Sequence, residues 1–178
     1  MDEIVKAALR KWPNVPHCHG WLGLDARGDW YMRDDGTQAA GPFPQVKGSR
    51  ILHDKLREFI HRNYASDEQG SWFFQNGPQR VDVVLAAAPW VWRVQQEDDA
   101  IVVRSHTGHH AAVDSAYVDE AGRLFLATDF GFGIVHTADM EVAARPVESG
   151  AWQPVTIPFD VLPQRFGYCL SPAAAARA

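Results

Sequence analysis

Apolar residues recur along this chain at two periods, and the period decides each predicted element. The clearest helical stretch is residues 49–64. Leu52, Leu56, Phe59 and Ile60 fall at i, i+4, i+7 and i+8 on one face, with Asp54, Lys55, Glu58 and Arg62 opposite. Ile4, Ala7, Ala8 and Leu9 predict a shorter first helix, ended by Pro13 and Pro16 because proline lacks the amide and fixes φ. Alternation at period two dominates elsewhere. Residues 72–74, Asn76-Gly77 and residues 81–85 predict a β-hairpin. Residues 90–94 place Trp90 and Trp92 on one face of a strand, and residues 101–103, 132–136, 140–144 and 154–158 also read as extended. Turns are expected at Asp34-Asp35-Gly36, at Glu97-Asp98-Asp99 and around Gly108. A short helix is expected over residues 159–166, and a frayed alanine-rich tail over 173–178.

One pattern occurs twice. Residues 24–32 read Leu-Asp-Ala-Arg-Gly-Asp-Trp-Tyr-Met, and residues 118–126 read Val-Asp-Glu-Ala-Gly-Arg-Leu-Phe-Leu. Asp25, Gly28, Tyr31 and Met32 meet Asp119, Gly122, Phe125 and Leu126 at one constant offset, which also carries Asp35 onto Asp129. Each copy predicts a hairpin whose Asp binds its own turn backbone and whose Gly takes φ > 0. Two copies predict a duplicated fold.

With 178 residues there is enough chain for one domain or two small ones. A net charge of −5 with interspersed signs speaks against general nucleic-acid binding, which needs a basic face. Two distant cysteines, Cys18 and Cys169, predict no disulfide framework and a reducing, cytoplasmic setting. The amphipathic N-terminus lacks the apolar core of a signal peptide, and no apolar run approaches the roughly 20 residues of a membrane span.

Candidate chemistry comes down to three groupings. His17 and His19 form a His-x-His pair whose rings share a face on an extended segment, and His109 and His110 lie in a histidine-rich turn. Together they make a divalent metal the cofactor to consider. No His-Glu-x-x-His or Cys-x-x-Cys accompanies them. His53, Arg57 and His61 form a stripe at helical spacing that suits an anion or nucleic-acid backbone, or simply a solvated face. Trp30, Arg33, Asp35, Trp90, Trp92, Arg93 and Asp129 combine aromatic rings with charged groups, the residue types that anchor recognition surfaces, although tryptophans are more often core. Asp129-Phe130-Gly131 has the letters of a kinase magnesium motif but none of its context, so a turn explains it. Cys18 has no nucleophile context, because its neighbours on a strand point to opposite faces.

Residues 24–32, the helix of residues 51–64, Trp72-Phe73-Phe74 leading into residues 80–84, and Ala88-Pro89-Trp90-Val91 resemble uncharacterised bacterial domain-of-unknown-function families. The resemblance covers the first half well and the second half only in strand pattern. It implies a duplicated core, a second half like a partial pleckstrin-homology barrel, and a binding site between the halves; it supplies no catalytic residues. The expected fold is α+β: two similar β-rich halves, residues 1–87 and 88–178, with mainly antiparallel sheets and one main helix in the first half. The expected function is a non-catalytic module binding a small ligand or protein partner. The alternative is a metal-dependent hydrolase in which His17, His19, His109 and His110 hold the ion and Asp34, Asp35 or Asp129 serves as carboxylate or base.

Overall fold

The computed structural model describes residues 1–98 and 100–172; Asp99 and the alanine-rich tail of residues 173–178 lie outside them. Contacts divide the chain into two units. The first comprises Met1–Asp25, Asp29–Ala86 and residues 167–172, and the second Ala26–Gly28 and Ala87–Phe166. Residues 26–28 and 167–172 group with the unit distant from them in sequence.

The first unit contains α1 (Glu3–Lys11), β1 (Cys18–Leu24), β2 (Trp30–Met32), α2 (Asp35–Ala40), β3 (Ser49–Arg50), α3 (Asp54–Arg62), β4 (Tyr64–Ser66), β5 (Trp72–Asn76) and β6 (Gln79–Leu85). Its six strands lie in the order β3-β2-β1-β6-β5-β4. The second unit contains β7 (Trp90–Glu97), β8 (Ala100–Ser105), β9 (His110–Ala111), β10 (Val113–Val118), β11 (Leu124–Thr128), β12 (Gly131–Val135), α4 (Met140–Glu148), β13 (Val155–Thr156) and α5 (Leu162–Phe166). Its order is β13-β10-β11-β12-β7-β8-β9. The chain is therefore α+β, with two large, mainly antiparallel sheets, few helices and no closed barrel among the described residues.

The two sheets share a connection rule. Each is two three-stranded antiparallel meanders, with the first strand of one meander parallel to the last strand of the other: β1 beside β6, and β7 beside β12. The second sheet adds β13, parallel to β10. Counted this way, the β1–β2 hairpin occupies the first two positions of its sheet, and β10–β11 occupies the fourth and fifth. The two Asp-x-x-Gly copies thus mark non-equivalent hairpins.

What the copies share is turn chemistry. The Asp29 amide donates to Asp25 Oδ1 at 3.0 Å, and the Arg123 amide donates to Asp119 Oδ1 at 2.9 Å. Gly28 and Gly122 take φ of 80° and 72°. Each buried carboxylate also meets a cation, Lys47 Nζ at 2.7 Å from Asp25 and Arg123 Nη2 at 2.6 Å from Asp119. A buried charge is tolerated only when it is paired and hydrogen-bonded in this way.

Three predicted elements are corrected. Asp34-Asp35-Gly36 opens helix α2 rather than making a turn. Asp34 Oδ1 accepts from the Thr37 amide (2.8 Å) and hydroxyl (2.7 Å), which satisfies a free donor of the first helical turn. The helix expected over residues 49–64 shortens to α3, because Ser49–Arg50 pair with β2; Leu52 is left exposed outside it. Residues 140–144, expected to be extended, form α4. Its Ala143 is buried, and Pro146 sits near its C-terminal end. The Asn76–Gln79 connection is a two-residue turn of Gly77 (φ 58°) and Pro78.

Each unit has its own core. Leu22, Leu24, Trp30, Ile60 and Val83 fill the first. Val91, Trp92, Phe125, Leu126 and Ile134 fill the second, where Phe132 lies between Phe125 and Phe166, 5.7 and 3.7 Å away in near-parallel stacks.

Candidate functional site

The two faces of the first unit's sheet carry different chemistry, and the β1–β6 pairing decides which residues meet on each. Cys18 pairs with Val81 in parallel register. Side chains alternate along a strand, so Cys18, Gln79 and Val81 share one face, while His17, His19, Arg80 and Asp82 share the other.

The first of these faces carries α3 and an apolar groove of about 250 Å³. Leu22, Met32, Leu56, Ile60, Phe74 and Val81 line it, with Trp21 at its side. Met32 and Trp21 keep 50% and 41% of their surface in solvent, so the rim is apolar as well. The polar groups lie together: Asn76, Gln79 and Cys18, with the Gln79 amide donating to Cys18 Sγ at 3.0 Å. A register shift in β1, where the three residues between Cys18 and Leu22 face the single Asp82 of β6, brings Trp21 to the groove beside Leu22. Gly20 supplies the positive φ (78°) that this shift requires.

On the opposite face His17, His19 and Asp82 form a compact group. One donor atom from each lies within 4.8 Å of the others. His19 Nδ1 is 2.6 Å from Asp82 Oδ2. Arg80 Nε donates to Asp82 Oδ1 at 2.6 Å, and Arg80 Nη2 to Asp67 Oδ2 at 2.7 Å. Asp82 is 2% exposed, whereas both imidazoles face solvent. The guanidinium also lies 4.2 Å above the Phe73 ring. Burial of Asp67 works to raise its pKa, but the hydrogen bonds and charge of Arg80 and the Ser71 amide outweigh it and hold the carboxyl below its usual range.

Of the four histidines considered as ligands, His17 and His19 thus meet a carboxylate, Asp82, that sequence reasoning passed over. Its signal was present in the alternation Arg80-Val81-Asp82, but the β1–β6 register is not legible without the fold. His109 and His110 are outside this group. His109 stacks on Phe130 at 4.7 Å, and His110 Nε2 accepts from Arg104 Nε at 3.1 Å.

The seven aromatic and charged residues expected to bind a ligand are engaged within the fold. Trp30 and Trp92 are buried, donating their indole N–H to His61 Nε2 and the Leu126 carbonyl. Arg33 is buried and donates to the carbonyls of Val46, Gly20 and Gly41; burial pulls its pKa down. Trp90 is buried against Trp92 and Phe130. Arg93 grips Asp139, Asp35 begins α2, and Asp129 Oδ1 accepts from the Ala112 amide. None of the seven lines the groove.

The anion stripe is likewise occupied. The His53 ring caps α3, Arg57 pairs with Asp54, and His61 accepts from Trp30. Asp129-Phe130-Gly131 is the β11–β12 turn, held by Thr128 Oγ1. Among the described residues, no helix is long and apolar enough to cross a membrane.

No curated protein matches the chain. Among solved structures, it is similar to the crystal structure of a DUF1285 family protein from Silicibacter pomeroyi DSS-3. That likeness has 14% identity and a TM-score of 0.48 over 80% of this chain and 83% of that one. A family model matches residues 1–173, nearly the whole chain, which therefore belongs to the family DUF2944, described as a protein of unknown function (DUF2946).

Proposed function

We propose that this chain is a non-catalytic binding module of a regulatory or signalling kind, working in the bacterial cytoplasm. Its ligand is a small, mostly apolar molecule with one hydrogen-bonding head. The observation that carries this is the groove under α3. It combines an apolar wall, solvent-exposed aromatic and thioether side chains at its rim, and a polar end at Asn76 and Gln79. Ligand sites are concave and mainly apolar, with a few polar groups that fix orientation. At about 250 Å³ the groove lies just under the roughly 300 Å³ at which drug-sized sites begin, so the occupant is small. The free thiols of Cys18 and Cys169 support the reducing setting. The common strand order of the two sheets supports a duplicated core, and this reading takes the second unit to be like a partial pleckstrin-homology barrel.

Indole, an apolar bicycle with one N–H, is the probe of choice. Titrated into ¹⁵N-labelled protein, it shifts the amides of Leu22, Leu56 and Phe74 saturably, and Val81→Phe, which fills the groove, removes the effect. Scattered shifts, or shifts that survive Val81→Phe, overturn the reading.

The alternative, a metal-dependent hydrolase, keeps two of its four histidines beside a carboxylate. Hydrolysis also needs a bound substrate facing the ion, and the apolar groove lies on the other face of the sheet. The binding module is therefore preferred.

A further inference from the structure

We propose that His17, His19 and Asp82 bind one late first-row divalent cation, zinc being the reference ion, on the solvent side of the β1–β6 pair. The inference uses a different face from the groove and does not rest on a ligand there.

The donor set suits such an ion. Imidazole favours zinc, copper, iron and nickel, and a carboxylate completes a His₂-carboxylate set with an open position for water. The donors are nearly in place. Zinc bonds of about 2.1 Å at tetrahedral angles put donors about 3.4 Å apart. His19 Nδ1 and Asp82 Oδ2 are 2.6 Å apart and must open slightly, and no donor pair of the group is more than 4.8 Å apart, so the adjustment needed is small. His17 can make that adjustment, since it precedes β1 and its ring is exposed.

The surroundings also fit. Metal-bound carboxylates are held by outer partners, and here Arg80 Nε fixes Asp82 Oδ1 while leaving Oδ2 toward the histidines. The guanidinium charge opposes a cation, but Asp67 neutralises it. Asp82, Asp67 and Arg80 sum to one negative charge beside the two imidazoles, an attractive field for a divalent ion. Exposed histidines over a buried carboxylate leave the ion a path of entry. On binding, the hydrogen between His19 Nδ1 and Asp82 Oδ2 leaves, to solvent from an imidazolium or to Nε2 by exchange through water from a neutral ring. Both atoms then donate lone pairs to the ion.

A plain His19–Asp82 ion pair is the competing explanation, and calorimetric titration separates the two. Chelator-stripped protein titrated with Zn²⁺ takes up about one ion per chain, and Mg²⁺, which prefers an all-oxygen shell, does not compete. His19→Ala weakens zinc binding at least about 100-fold, beyond the 10–100-fold typical of an outer partner. His17→Ala, at an exposed position outside any strand, also weakens it while leaving metal-free thermal stability unchanged, so loss of folding cannot explain the result. The double substitution of His109 and His110 by alanine leaves uptake intact. Absence of stoichiometric zinc, uptake unaffected by His17→Ala and His19→Ala, or loss of uptake in the His109/His110 variant overturns the proposal.

Discussion

The indole N–H of Trp30 donates to Nε2 of His61 across 3.0 Å, and the same indole meets the Tyr64 ring edge-on at 5.2 Å. The sequence offers Trp30 as a recognition aromatic and His61 as part of an anion stripe; in the fold they support each other at the α3–sheet contact. Trp30→Phe removes this hydrogen bond and opens a cavity in the core, so it lowers stability by about 1–3 kcal/mol. Urea unfolding midpoints measure this. An unchanged midpoint would show that the indole is not structural.

The two matched glycines predict different costs for one chemical change. A Cβ at Gly122 meets nothing within 4 Å, so Gly122→Ala pays only the left-handed backbone strain, about 1–2 kcal/mol. At Gly28 the added carbon comes 2.8 Å from the Cβ of His106, a contact that no rotamer change relieves. Gly28→Ala therefore costs about 3 kcal/mol. Equal losses of thermal stability in the two variants would refute the packing argument.

Arg93 holds Asp139 through two hydrogen bonds, of 2.6 and 3.0 Å, and the Val94 amide adds a third at 3.1 Å. Burial of Asp139 acts to raise its pKa, but these bonds and the Arg93 charge prevail and hold it below the ordinary value. A carboxyl whose folded pKa is depressed contributes stability that is complete above its unfolded pKa and is lost as pH falls through the folded value. The contribution is therefore intact at pH 7 and fades from about pH 4 downward. Asp139→Asn costs about 1–3 kcal/mol at pH 7, discounted because Arg93 is partly exposed. It also flattens the acid limb of the stability curve. A variant whose acid limb matches that of the parent would exclude the pair as its source.

Asp34 makes a smaller, local prediction. Asp34→Ala removes the cap of α2 and costs about 1 kcal/mol. The signature is faster amide exchange at Thr37 and Gln38 with other amides unchanged; global acceleration would mean that α2 supports the unit as a whole.

Local chemistry was legible from the residues alone. Asp25 with Gly28, and Asp119 with Gly122, announced their hairpins, since a carboxylate binding its own turn and a glycine at φ > 0 need only a few adjacent residues. Alternation placed Trp90 and Trp92 on one face, where they stack 6.4 Å apart. The strand-rich pattern indicated an α+β chain with mainly antiparallel sheets. Local signals misled where partners were distant. Ser49 and Arg50 continue a helical pattern but are taken by β2, and residues 140–144 read as strand although Ala143 buries into a core as part of α4. The Asp-x-x-Gly likeness identified two turns of one kind, yet their hairpins hold different positions in sheets that share a strand order, because a turn records its local backbone and not the strand it will pair with. Tertiary structure alone decided the candidate sites. His19 and Asp82 lie 63 positions apart in the chain and meet because β1 runs parallel to β6, a pairing that periodicity does not encode. The groove exists only once α3 lies over that sheet. The sequence determined which side chains could hold an ion or an apolar ligand, and the register between distant strands determined which of them meet.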